Sequence, residues 1–211
     1  MNIKKLGHCC LLIKTGSVTV LTDPGNYSTA QDEVTGIDVI LISHEHQDHF
    51  HIDSVKKVLA NNPNAKIITN KAVGKLLDDE KISYEVVSGG EKNESHGVLI
   101  EGFGDKHAEI YKDFGQVENT GYFVDNKLFY PGDAFTNPGK SVDVLALPIS
   151  GPWMKINEAI DYALQIKPRV AFPVHDGIMK TKGFMHSLFL KFMKENNIAF
   201  EGMVEGDERE F

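Results

Sequence analysis

Cysteine is almost missing from this chain of 211 residues: the only two, Cys9 and Cys10, are neighbours. Adjacent residues rarely reach disulfide geometry, so a disulfide framework is excluded and reduced thiols in a reducing compartment are expected. A strand would place them on opposite faces as packing residues, and a cysteine-based zinc site would need two more thiols or well-spaced partners. No apolar run approaches the ~18 residues that would span a membrane. Lys4 and Lys5 ahead of residues 6–13 mimic a secretion signal, but Gly7-His8 interrupts the run and Lys14 ends it. No small-residue cleavage site follows, so a soluble, cytoplasmic protein is expected. Basic runs are absent as well, and 22 basic against 30 acidic residues leave a net charge of −8. This balance argues against a nucleic-acid partner, because a phosphate backbone needs a positive face.

Apolar residues are plentiful, at 41% of the chain. A chain of this length buries about 70% of its unfolded surface, so one domain over residues 1–211 is expected. It divides into halves of roughly 1–95 and 96–211, without a repeat at the sequence level. Residues 3–14 and 17–22 flank Thr15-Gly16 as a hairpin, and Asp23-Pro24-Gly25 stops it. Strands are predicted at Val39–Ile42, Lys66–Thr69, 84–87, Val98–Phe103, Gly121–Val124, Leu128–Tyr130, 142–147 and Val170–Val174. Residues 88–96 read as a turn. Ile52, Val55, Val58 and Leu59 recur at helical spacing, a second helix starts after Asn70, and a third is capped by Asn157 and ended by Pro168. Phe184, Leu188, Phe189, Phe192 and Met193 form the core-facing stripe of a last helix. Two strand-rich sheets with helices outside give an α/β, four-layer αββα sandwich.

The chemistry concentrates in His44, Glu45, His46, Gln47, Asp48 and His49, directly behind the buried strand Val39–Ile42 and Ser43. Imidazoles are common ligands of zinc and its neighbours, and carboxylates suit harder divalent ions. His44 and His46 alternate and can point to one side; Asp48 and His49 fall where the chain turns, toward a second position. One tetrahedral ion rarely needs four ligands packed so tightly, so two ions sharing a site fit better. Further ligands are available at other predicted strand ends: His107, Asp133 and His175.

This series resembles the metallo-β-lactamase superfamily, whose αββα sandwich binds two metal ions at one edge. Gly7-His8, Leu21-Thr22-Asp23-Pro24, Leu147-Pro148-Ile149 and Pro173-Val174-His175 resemble its branch containing L-ascorbate-6-phosphate lactonase and N-acylphosphatidylethanolamine phospholipase D. The resemblance implies one ion on His44, His46 and His107, another on Asp48, His49 and His175, and Asp133 bridging both. It implies two divalent ions, zinc foremost with manganese or iron as alternatives, and a metal-bound hydroxide that attacks an ester, lactone or phosphate-bearing small molecule. Asp48 would orient the water and shuttle its proton, while His8, Asp23 and Ser43 would orient ligands. Diiron relatives resemble this motif with Glu where His46 stands, so hydrolysis is favoured over redox chemistry. Many relatives carry an aromatic residue where Asp176 stands, which implies a different pocket shape.

Two alternatives accompany this reading: a phosphodiesterase or nuclease of the same superfamily, and a non-catalytic metal-binding or sensor module. A degenerate module would have lost ligands, and all seven are present. His51, His96 and His186 read as surface or capping residues. Trp153 reads equally as a pocket wall or a packing residue. Lys140, Lys155, Lys180 and Lys182 could meet a phosphate, although solvation is the default for lysine. No sequence feature specifies an oligomeric state.

Overall fold

β-Branched and leucine side chains dominate the predicted strands, and in the computed structural model, which describes residues 1–211, they pair into two seven-stranded sheets. In the first, β1 (Asn2–Gly7), β2 (Cys10–Thr15) and β3 (Val18–Thr22) run antiparallel. β4 (Val39–Ile42), β5 (Lys66–Thr69) and β6 (Glu85–Val86) extend it in parallel, with α1 (Ile52–Asn61) and α2 (Lys71–Asp79) as the crossovers. In the second sheet, β7 (Lys92–Ser95), β8 (Val98–Phe103), β9 (Gly121–Val124) and β10 (Leu128–Tyr130) are antiparallel. β11 (Val144–Pro148), β12 (Val170–Val174) and β13 (Ala199–Phe200) follow in parallel, joined by α3 (Ile156–Ile166) and α4 (Lys182–Glu195). β14 (Glu208–Glu210) returns to the first sheet and pairs with β1.

The period of two along each strand sorts the apolar side chains into three cores. Val39 and Leu41 of β4 meet Val144, Ala146, Phe172 and Val174 between the sheets. Ile40 and Ile42 turn the other way, onto Val55 and Val58 of α1 and Val73 and Leu77 of α2. Leu145, Leu147 and Ala171 pack beneath Ala159 and Ala163 of α3 and Phe189 and Met193 of α4. Helix, sheet, sheet and helix thus form the expected four-layer αββα sandwich. Each fully buried Val, Ile or Leu contributes about 1.5–3 kcal/mol. The helix ends are set locally: Asn70 Oδ1 accepts from Val73 N at 3.0 Å at the start of α2, a cap worth about 1 kcal/mol. No helix is long and apolar enough to cross a membrane.

Several details depart from the sequence-based expectations. Residues 3–14 make two strands, because Gly7 (φ 150°) and His8 (φ 42°) reverse the chain between them. Cys9 and Cys10 do fall on opposite faces, in the inter-sheet core and the α1/α2 core. The segment 88–96 contains β7, an edge strand whose Lys-Asn-Glu-Ser composition conceals it from any hydrophobic pattern. α3 begins at Ile156, with Glu158 Oε2 accepting from Lys155 N at 2.7 Å, so Asn157 lies within the first turn and not at the cap. On α4 the buried stripe is Met185, His186, Phe189 and Met193, whereas Phe184 is 72% exposed.

Candidate metal centre

Each of the seven candidate ligands lies on a connection leaving a strand. His44, His46, Asp48 and His49 follow β4, where the chain tightens through His49 N→His46 O (2.9 Å) and Phe50 N→His46 O (2.8 Å). His107, Asp133 and His175 follow β8, β10 and β12. The structure brings all seven to one edge of the sandwich. Ligand atoms of His44, His46 and His107 lie within 4.8 Å of one another. His175 Nε2 is 2.9 Å from Asp133 Oδ2 and 3.3 Å from Asp48 Oδ2. His49 Nε2 is 3.2 Å from Asp133 Oδ1 and 3.6 Å from Asp48 Oδ2, and His107 Nε2 is 3.4 Å from Asp133 Oδ2. Asp133 therefore stands between the two sets of imidazoles.

Hydrogen bonding fixes which ring nitrogens face the centre. Ser43 Oγ–H donates to Asp23 Oδ2 at 2.6 Å, so His44 Nδ1–H donates to Ser43 Oγ at 3.0 Å. His49 Nδ1–H donates to the same Asp23 oxygen at 2.6 Å, and His107 Nδ1–H to Ala108 O at 2.6 Å. All three rings thereby keep an Nε2 lone pair. Those three Nε2 atoms, His175 Nε2 and Asp133 Oδ1 are buried without a hydrogen-bond partner. Buried polar atoms normally find partners, and five orphans converging on one centre match a divalent cation in an N/O donor set. Around them, His8, Asp23 and Ser43 occupy the orienting positions anticipated for them. Gly177 N donates to His8 Nδ1 at 3.1 Å, so His8 Nε2–H donates to Asp48 Oδ2 at 3.1 Å.

The electrostatics agree with a cation site. Burial would raise the Asp133 pKa, but the surrounding imidazoles, His49 and His175 foremost, hold it well below the usual carboxylate range. Burial likewise opposes ionisation of Asp48, and the neighbouring imidazoles of His175, His8 and His49 reverse it. Burial and the neighbouring imidazoles keep His44 neutral by lowering its pKa. Burial disfavours the charged forms of His49 and His175, yet Asp133 and Cys9 raise both above the ordinary imidazole value. The centre draws positive charge toward its carboxylates.

The structure adds contacts that sequence reasoning did not give. Trp153 Nε1–H donates to Asp133 Oδ2 at 2.8 Å, a bond that settles its role beyond packing. Tyr130 donates its hydroxyl to Asp23. Asn119 Oδ1 accepts from Asp133 N at 3.0 Å. The Cys9 thiol groups with ring nitrogens of His8, His49 and His175; burial pushes it up, but those imidazoles bring it down to about 6. Gly25 passes so close to the Asp48 carbonyl that a Cβ there would overlap it. The only advance signal was adjacency to strand ends. Asp176, expected to alter pocket shape, is instead fully buried away from the cleft, paired with Lys5 Nζ at 2.6 Å and His186 Nε2 at 3.1 Å. His186 is consequently a core residue and not a surface one. His51 sits at the cap position of α1, bonded through Nδ1 to Ser54 Oγ at 3.1 Å, and His96 is exposed in the β7–β8 turn.

The ligands open into a cleft of about 570 Å³, walled by Tyr27, Ile110, Phe114, Pro152, Trp153 and Ile178 beside His46, Asp48, His107, Asp133 and His175. Lys140, Lys155, Lys180 and Lys182 are absent from its lining.

Comparison with known proteins places this geometry in context. The sequence pattern of the Beta-lactamase superfamily domain matches residues 2–175. Protein Rv0786c of Mycobacterium tuberculosis is 34% identical over 184 residues, covering 85% of each chain. A UPF0173 metal-dependent hydrolase of Aeropyrum pernix is 28% identical over 207 residues, covering 82% of this chain and 81% of its own. Igni18, a metallo hydrolase from Ignicoccus hospitalis, superposes with a TM-score of 0.77 at 19% identity, over 100% of this chain and 98% of its own.

Proposed function

The chain belongs to the Beta-lactamase superfamily domain family, and from that membership we propose that it is a metal-dependent hydrolase with a two-ion centre. His44, His46 and His107 would hold one ion and Asp48, His49 and His175 the other, with Asp133 between them. Zinc suits the imidazole-rich donor set, with manganese or iron as alternatives. Bound there, the ions would supply an acidified water and polarise the electrophile. The substrate class is a small ester, lactone or phosphate-bearing metabolite, of a size suited to the cleft of about 570 Å³.

The protein's own groups perform the remaining tasks. Asp48 is 20% exposed at the cleft and accepts a hydrogen bond from His8, so one carboxylate oxygen is held while the group can take a proton from a water beside it. Asp23 and Ser43 hold the rings of His49 and His44 with their Nε2 lone pairs inward. Trp153 fixes Asp133 from the cleft side.

The observation that carries this reading is the set of buried, unpartnered Nε2 atoms of His44, His49, His107 and His175 around Asp133. Elemental analysis of purified protein, alongside chromogenic ester, lactone and phosphodiester substrates, tests it. Two metals per chain and hydrolysis are expected, both lost in His46→Ala and Asp48→Ala. Retention of two metals per chain in those variants would overturn the ligand assignment.

A further inference from the structure

Away from the metal centre, the lining of the cleft carries little charge. Apart from the two carboxylates and three imidazoles of the centre, its lining contains no ionisable group other than Tyr27. None of the chain's 22 lysine and arginine residues reaches it. Lys140 pairs with Glu101 at 2.5 Å, and Lys112, on the loop that forms one wall, lies 5.0 Å over the ring of Tyr111.

The mouth is correspondingly apolar. Phe114 is 72% exposed, Ile178 58% and Tyr27 52%, although each stands on a different connection. Scattered apolar exposure is ordinary, but three such side chains around the opening of one cleft mark a recognition surface. Trp153 and Pro152 continue the same wall inward to Asp133. A charged group lying along these walls, away from the ions of the centre, would leave water with no Lys or Arg to receive it, which is costly. An alkyl or aryl group would bury its surface against these side chains at a gain.

We propose that the substrate is an ester or lactone whose portion beyond the reacting bond is uncharged and apolar, an alkyl chain or aryl ring lying along Phe114, Ile178 and Trp153. The proposal rests on the hydrolase reading and narrows it: metabolites with a phosphate or carboxylate remote from the scissile bond are excluded.

Two measurements on the metal-loaded protein separate the two ideas. Hydrolysis of p-nitrophenyl octanoate is expected to exceed that of p-nitrophenyl acetate by about tenfold or more in kcat/KM. Methyl p-nitrophenyl adipate is expected to exceed the free-acid monoester, p-nitrophenyl hydrogen adipate, by a similar factor. Phe114→Ser and Ile178→Ser should lower the octanoate value more than the acetate value, flattening the preference. In parallel, Trp153, the single tryptophan, reports binding directly: N-methyloctanamide should shift its emission saturably and N-methylacetamide should not.

Turnover without chain-length or charge preference overturns the substrate assignment and leaves the hydrolase reading standing. Saturable N-methyloctanamide binding with no ester turned over overturns the hydrolase reading and the ester assignment with it, and leaves standing only the preference of the cleft for apolar groups. Absence of both overturns both. Binding to phosphatidylcholine vesicles without chain-length preference would make the rim a membrane contact and overturn the substrate assignment.

Discussion

Trp153 donates its indole N–H to Asp133 Oδ2 at 2.8 Å, which couples the cleft wall to the carboxylate between the two sets of imidazoles. Trp153 is only 7% exposed, so no water can readily replace the donor. Trp153→Phe keeps most of the bulk and removes the hydrogen bond. Metal affinity should fall about 10–100-fold, as for other partners that orient ligands. Competition with a chromophoric chelator measures this, and an unchanged far-ultraviolet circular dichroism spectrum separates it from unfolding.

Asp23 collects four donors: Ser43 N, Ser43 Oγ, His49 Nδ1 and the Tyr130 hydroxyl. Asp23→Asn substitutes an amide for one accepting oxygen and leaves buried donors unpaired, at about 1–3 kcal/mol each. A lowered unfolding midpoint is expected together with loss of about one metal per chain, because His49 is no longer held. Calorimetry and elemental analysis check the two effects.

Gly25 is required by proximity: a Cβ would overlap the Asp48 carbonyl. Gly25→Ala should push the loop carrying His44, His46, Asp48 and His49 away from the sheet. A loss of about 1–3 kcal/mol in urea unfolding is expected, with a larger proportional loss of hydrolysis, since ligand placement fails before the fold does.

The Lys5–Asp176 pair is fully buried, and Lys5 Nζ also donates to Pro173 O at 2.8 Å. Burial would raise the Asp176 pKa, but His186 and Lys5 hold it below the ordinary value. A carboxyl depressed in the folded state adds stability above its unfolded pKa of about 3.9 and loses it as pH falls through that range. Asp176→Asn strands the Lys5 charge and should cost about 3–5 kcal/mol at pH 7. The difference from the parent should shrink near pH 3, as read from urea midpoints of chelator-treated protein.

Much of the fold was legible because it depends on repeated local signals. Val39–Ile42, Val98–Phe103 and Val170–Val174 form strands with the predicted bounds, and Asn70 marks the predicted start of α2 through its own capping side chain. The candidate ligands stood out because His and Asp followed those strands. The contacts of Trp153, His186 and Asp176 were illegible, since each partner is fixed by tertiary approach and not by spacing. Lys5 and Asp176, 171 positions apart, illustrate this. β7 was hidden because an edge strand need not be apolar.

The stitch between His8 and the segment after β12 has a kinetic consequence. His175 N donates to His8 O at 3.2 Å, and Gly177 N, 169 positions from His8, donates to its Nδ1 at 3.1 Å. Contacts of such separation impose a large loop-closure entropy and slow the search for the native topology. No partial chain emerging during synthesis holds His8 and His175 together, so an ion on Asp48, His49 and His175 would be captured only after the long-range closure. Ions that bind only the closed form then act by mass action, adding about 2.7 kcal/mol at a hundredfold excess over Kd. Occupancy of the site containing His175 would thus count completed molecules, and scarcity of metal would appear as slower accumulation of protease-resistant protein.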